Sequence, residues 1–148
     1  MNPEKIHHYS AQVTWQGNQG QGTINYRSYQ RTYEIKVENK PVIIGSADPA
    51  FLGNPTQYNP EEFLVASLSA CHLLWYLHLC ADASIIVTQY VDQPVGTMIE
   101  TQQGKGHFSE VILKPWVVIQ DSAQIEQAKQ LHTKAHEYCF IDNSVNFP

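Results

Sequence analysis

NPEEFLVASLSACHLLWYLHLCA, residues 59–81, carries the strongest structural signal in the chain. Asn59 is a good helix N-cap, Pro60 suits the first helical position, and Glu62 stands three residues after the cap, where a capping box needs it. Glu61 and Glu62 also favour the positive end of the helix dipole. Phe63 to Ala81 then runs almost without charge. A helix apolar on nearly every side is expected in the middle of a fold. Ser67, Ser69, His72 and His78 make it too polar, and its length too short, for a membrane span. It therefore reads as a long, buried central helix.

Working outward, residues 5–16 and 21–38 read as two strands of one antiparallel sheet, joined by the glycine-punctuated turn GNQGQG at 17–22. From Tyr29 the odd positions are Tyr29, Arg31, Tyr33, Ile35 and Val37. A period of two turns these toward the core and the even set toward water. Arg31 falls on the apolar face, and Arg27 shares its parity. An inward guanidinium needs an anion to meet. Residues 42–44 form another strand, followed by a Gly-, Pro- and Asn-rich loop over 45–58. Beyond the helix, 84–100 reads as strand, 104–106 as a turn, and 107–120 as a long strand in which Pro115 marks an edge or bulge. A last helix over about 123–138 is capped by Asp121 or Ser122. Strands, helix, strands, helix is an α+β order in a single domain, 1–148.

Composition narrows the function classes. Charged residues are only 16% of the 148, well under the usual share of about a quarter, which points to an oligomer that buries more surface than a monomer would. The net charge of −5 comes without a basic stripe, which argues against nucleic acid and anionic membrane as partners. The segment MNPEKIHH lacks the apolar core of a signal peptide, and three cysteines do not make a disulfide framework. A cytoplasmic protein with reduced thiols is the expectation.

The thiols are the chemistry to weigh. Cys71 lies mid-helix, Cys80 near the end of the same helix, and Cys139 directly after the last helix. A lone buried cysteine is most often a small core residue, and Cys80 is read that way. If Cys71 reacts, it must ionise, and burial opposes that, so a cation has to help. Arg27 and Arg31 are the inward candidates. Glu61 is ten residues from Cys71, roughly 15 Å along a helix. If both serve one site, a second chain must supply Glu61 or the helix must break, and no break signal lies between them. The seven histidines invite a metal. HTKAH at 132–136 lacks the glutamate of a zinc-protease motif, and His72 and His78 stand about 120° apart on a helix. There is no Cys-x-x-Cys, nucleophile elbow, phosphate loop or dinucleotide fingerprint, so neither metal nor cofactor is expected.

The combination NPEEFLVASLSACHLLWYLHLCA (59–81) with AHEYCFIDNSV (135–145) resembles the OsmC/Ohr family of thiol-dependent peroxidases. The pattern W-x-G-x-x-G-x-G-T-x-x-Y-R-x-Y-x-R at 15–31 is similar to its OsmC-like branch. The resemblance implies antiparallel sheets around a central helix and an intertwined homodimer with sites at the subunit interface. It implies Cys71 as peroxidatic thiol, Cys139 as resolving thiol, Glu61 as active-site glutamate, and an arginine from the N-terminal hairpin, Arg27 or Arg31. It further implies organic hydroperoxides as substrates and an external lipoyl-type dithiol as reductant. Phe140 follows Cys139 where many members carry proline. Cys139 sits at a helix C-terminus, where the dipole disfavours an anion, so Cys71 is the better first attacker. The competing reading from another class is a non-catalytic dimer of the same fold holding a small apolar ligand.

Overall fold

A computed structural model describes residues 4–148. The chain divides into two compact units, up to Phe63 and from Leu64 to Pro148.

The first unit holds a three-stranded antiparallel sheet of β1 (Gln12–Trp15), β2 (Tyr33–Lys36) and β3 (Ile43–Gly45), with β2 in the middle. The register pairs Val13 with Ile35 and Ile35 with Ile43, stacking β-branched residues across all three strands. Tyr33 pairs with Gly45, and a Cβ on that glycine would lie 2.6 Å or less from the tyrosine ring, so the close approach requires glycine. The hairpin expected from the sequence exists, but its strands are far shorter than 5–16 and 21–38. Residues 18–31 form a turn-rich loop instead, closed at its base by Gln16 N–H to the Thr32 carbonyl (2.8 Å), Gln30 N–H to the Gly17 carbonyl (3.0 Å) and the Trp15 indole N–H to the Gln30 carbonyl (2.8 Å). After β3, Ser46 N–H donates to the Tyr58 carbonyl at 2.8 Å, which returns the chain to Asn59.

The helix α1 runs unbroken over Pro60–Asp82. Its capping box is formed as expected. Glu62 N–H donates to Asn59 Oδ1 at 2.9 Å, and Asn59 N–H donates to Glu62 Oε1 at 3.0 Å. At the other end, Ser84 takes a left-handed conformation, φ 59°. Ile85 N–H reaches back to the Cys80 carbonyl (2.8 Å) and Ser84 N–H to that of Ala81 (3.1 Å), the paired bonds of a Schellman stop.

In the second unit, the expected strand over 84–100 is two strands, β4 (Val87–Val91) and β5 (Val95–Glu100), and 107–120 is likewise β6 (Gly106–Ile112) and β7 (Trp116–Ile119). The β5–β6 hairpin is nested inside the β4–β7 pair. Pro94 and Pro115 stand in the two links, where their missing N–H groups cost no ladder bond. Asp92 in the first link accepts from the Ser69 hydroxyl and from Lys114 N–H, each at 2.6 Å, and so fastens both links to α1. The last helix, α2 (Ile125–Tyr138), follows a short 3-10 turn capped by the Asp121 side chain.

Tyr76, Leu79 and Cys80 of α1 pack with Ile85 and with Ala128 and Ala135 of α2 to form the core of this unit. The chain by itself does not bury this helix on every side. Within one chain Leu74 remains 66% exposed and Leu77 37% exposed. The sequence is apolar around the whole helix, yet the chain by itself covers only one face.

Candidate active site

The residues that bear on chemistry cluster where the middle of α1 meets the C-terminal end of α2. One face of α2 is small or apolar at Ala128, Leu131 and Ala135, with His132 among them, and this face points at α1. Continuing that face by one turn brings in Cys139, the C-cap residue, which is 1% exposed. Cys71 of α1 lies close enough to act on its thiol. Cys71 is half-buried, and both cysteines are free thiols. The two cysteines singled out from the sequence thus meet across 68 residues of chain.

Burial pushes the Cys139 thiol up to about 11, and the neighbouring Cys71 pushes the same way. Asp142 N–H donates to the Cys139 sulfur at 3.4 Å and partly opposes the rise. Beside this sulfur lies a cavity of about 70 Å³, room for several waters. Leu68, Val111, Leu113 and Phe147 form its apolar wall, while His72, His136, Asp142 and Cys139 form its polar side.

The histidines here were not assigned to any site by sequence. His72 and His132 share a hydrogen bond of 3.0 Å between Nε2 and Nδ1, one ring donating to the bare nitrogen of the other. Burial lowers both, and their mutual repulsion adds to it at His132, which falls to about 4. Two neutral imidazoles therefore bridge the helices at neutral pH. Tyr76 stacks on His132 with centroids 4.0 Å apart. On the far side of the cavity, His136 Nδ1 lies 3.1 Å from the Asp142 carboxylate. The signal that could have exposed these pairings is the spacing 128, 131/132, 135, 139, which sets His132 and Cys139 on one helical face. Phe140 sits edge-on to Trp75 at 5.4 Å, and Trp75 stacks on Tyr138 at 5.1 Å. Phe140 thus braces the turn that carries Cys139.

The remaining expected site residues lie in the first unit. Glu61 is half-buried in the first turn of α1, where its charge helps raise the Tyr33 phenol above its usual value, after burial as the main cause. The inward reading of the two arginines is corrected. Both precede β2, so strand parity does not govern them. Arg27 is exposed. Arg31 is half-buried, donates to the carbonyls of Tyr29 (2.6 Å) and Tyr26, and lies over both tyrosine rings. Carbonyl dipoles and ring faces, rather than a carboxylate, hold that charge.

Comparison with known proteins identifies the fold and the lineage. Residues 53–148 match the family model described as OsmC-like protein. The chain belongs to the OsmC-like family. It is similar over 96% of its length, and 96% of the other chain, to an OsmC-like protein of unknown function from Vibrio cholerae, with 32% identity and a TM-score of 0.85. At 23% identity it shares its fold (TM-score 0.69, 99% of this chain and 89% of that one) with an organic hydroperoxide resistance protein of Vibrio cholerae that has captopril bound in one of its active sites. A third OsmC-like fold is the organic hydroperoxide resistance protein of Elizabethkingia anophelis, with thiocyanate bound (21% identity, TM-score 0.67, 95% and 90% coverage). No curated protein matches this chain.

Proposed function

We propose that this OsmC-like protein is a thiol-dependent peroxidase that reduces organic hydroperoxides through a two-cysteine cycle. The observation that carries the reading is the contact between Cys71 and Cys139, one half-exposed and the other buried and held protonated. The names of its structural neighbours, organic hydroperoxide resistance proteins, support the choice of substrate. The Cys71 thiolate attacks the outer peroxide oxygen, the O–O bond breaks, and the alkoxide takes a proton from water and leaves as the alcohol, with Cys71 as the sulfenic acid. Cys139 then condenses with that sulfenic acid to a disulfide, releasing water. An external dithiol of the lipoyl type restores both thiols by exchange. A guanidinium, Arg27 or Arg31, stabilises the thiolate and donates to the peroxide, and Glu61 orients it. The cycle runs in the cytoplasm, where thiols stay reduced, and uses no metal or cofactor.

The purified protein should consume a stoichiometric excess of an alkyl hydroperoxide when a dithiol is present. Absence of turnover with every dithiol tried would instead favour the non-catalytic ligand-binding dimer.

The working unit in this reading is a homodimer. Leu74, Leu77 and Phe140 are exposed in one protomer, and a second copy would cover them while supplying Glu61 to the site. Light scattering should give twice the chain mass at micromolar concentration. A mass near one chain would remove the dimer.

A further inference from the structure

The proposed cycle leaves one step without an agent. Cys139 must attack the sulfenic acid as a thiolate, yet burial and the neighbouring Cys71 hold its pKa near about 11. At neutral pH the thiol is held protonated unless something takes its proton. A base beside the sulfur would remove that handicap.

The cavity next to Cys139 offers two imidazoles, His72 and His136. His72 is a poor choice. It is 7% exposed, its Nε2 is engaged by His132, and burial lowers its basicity. His136 is differently placed. The Asp142 carboxylate, 3.1 Å from Nδ1, keeps the ring proton on that nitrogen and leaves Nε2 with a free lone pair. The His136 side chain is 65% exposed and can trade protons with water. Asp142 also ties the group to the same sulfur, since its N–H donates to Cys139 Sγ at 3.4 Å. His136 stands three residues before Cys139, one turn back on the end of α2. The titratable groups around the sulfur are Cys71 and His72 from α1, His136 from α2, and Asp142 from the turn that follows. The β6 side contributes the apolar Val111 and, just beyond it, Leu113.

We propose that His136 is the general base for disulfide closure at Cys139, with Asp142 as the residue that positions it. The role rests on the two-cysteine reading given above. In the step, the Cys139 S–H proton passes to His136 by way of a water in the cavity that both residues line. The Cys139 sulfur then bonds to the Cys71 sulfur as the S–O bond of the sulfenic acid breaks. The departing hydroxide takes the proton back from the imidazolium and leaves as water. Both electrons for the S–S bond come from Cys139, and no outside oxidant is involved.

Single-turnover mixing of the reduced full-length protein with one equivalent of tert-butyl hydroperoxide separates the steps. A 1,3-dione traps the sulfenic acid, and mass spectrometry follows the disulfide. In His136→Gln closure should slow on the order of a hundredfold relative to sulfenic acid formation in the same sample. Asp142→Asn keeps the backbone N–H and should slow closure about tenfold. Closure in His136→Gln should accelerate tenfold per pH unit toward the Cys139 pKa, with a shallower dependence in the wild type, and added imidazole should restore part of the rate. Wild-type closure in His136→Gln would overturn the role. So would slowing by one constant factor at every pH without imidazole rescue, which is what a structural role predicts. No sulfenic acid in the wild type would instead overturn the peroxidase reading itself, and this step with it.

Discussion

Cys80 and Cys139 are equally buried, each 1% exposed, and the two helices α1 and α2 enclose both. Burial raises both thiols. Their company differs. Cys80 packs in the core among Tyr76, Leu79, Ile85 and Ala128, and its neighbour Tyr76 is fastened through its hydroxyl to the Ala128 carbonyl at 3.0 Å. The open cavity that Cys80 borders is lined by apolar residues and Ser84, without a histidine or a second cysteine. Cys139 faces a second thiol, a backbone donor and a cavity with two histidines. Desolvation alone therefore does not mark a reactive thiol. A second thiol to bond with and a base to take its proton are what set Cys139 apart in the proposed cycle.

The largest expected contrast tests this directly. Cys71→Ser should lower peroxide turnover by at least about a thousandfold, because the attacking atom is gone. Cys80→Ser should leave turnover near wild type while costing about 1–2 kcal/mol of stability, since it puts a hydroxyl into an apolar core. Urea unfolding and a peroxide assay on both variants read the two quantities. Turnover retained in Cys71→Ser, or lost in a folded Cys80→Ser, would erase the distinction between the neighbourhoods.

A smaller effect is expected from the arginines. If a guanidinium activates Cys71, replacing it with Met keeps bulk, removes charge and raises the thiol's pKa. Alkylation of Cys71 by iodoacetamide at neutral pH should slow about tenfold in one of Arg27→Met and Arg31→Met and little in the other. Arg31 already spends two donors on the Tyr26 and Tyr29 carbonyls, so its replacement also loosens the 18–31 loop. Circular dichroism of both variants separates that loss from an effect on the thiol. Wild-type alkylation in both single variants and in the double variant would show that neither arginine activates the sulfur.

What could be read from sequence follows a physical division. Helix α1 was legible because its start is written locally, in Asn59, Pro60 and Glu62. The α+β class was legible from the order of periodicities. Strand lengths were not, because β-branched runs do not reveal where a chain changes partner. The run from Ser84 to Glu100 changes partner at Asp92–Pro94, where a carboxylate bonded to Ser69 and Lys114 N–H sets the corner. The inward arginines failed for a related reason. Parity holds only inside a ladder, and the ladder begins at Tyr33. The Cys71–Cys139 pairing came from family resemblance. The bond between His72 and His132 joins residues 60 apart and needed the helices docked.

That histidine bridge supplies the smallest test and bears on the same contrast, since it stands between the core and the thiol cavity. His132 titrates near about 4 in the folded chain, against 6.5 unperturbed, and His72 is lowered as well. Between those values the unfolded state binds the proton and the folded state does not. Stability from this group is therefore full above pH 6.5 and is lost as pH falls toward 4. One proton gives at most about 1.4 kcal/mol per pH unit, and a partly exposed ring gives less. With about 2–4 °C of Tm per kcal/mol for a chain of this size, the loss between pH 7 and pH 5 is a few degrees. In His132→Gln the absolute Tm should drop at pH 7, because the stack on Tyr76 is lost, but the fall from pH 7 to pH 5 should be shallower. The removed ring no longer titrates. Asp92 acts on both rings in the opposite sense, and Asp92→Asn should steepen the acid limb in the otherwise wild-type chain. Scanning calorimetry at both pH values reads each slope, and an acid limb in His132→Gln as steep as the wild type's would mean that the bridge is not what acid breaks.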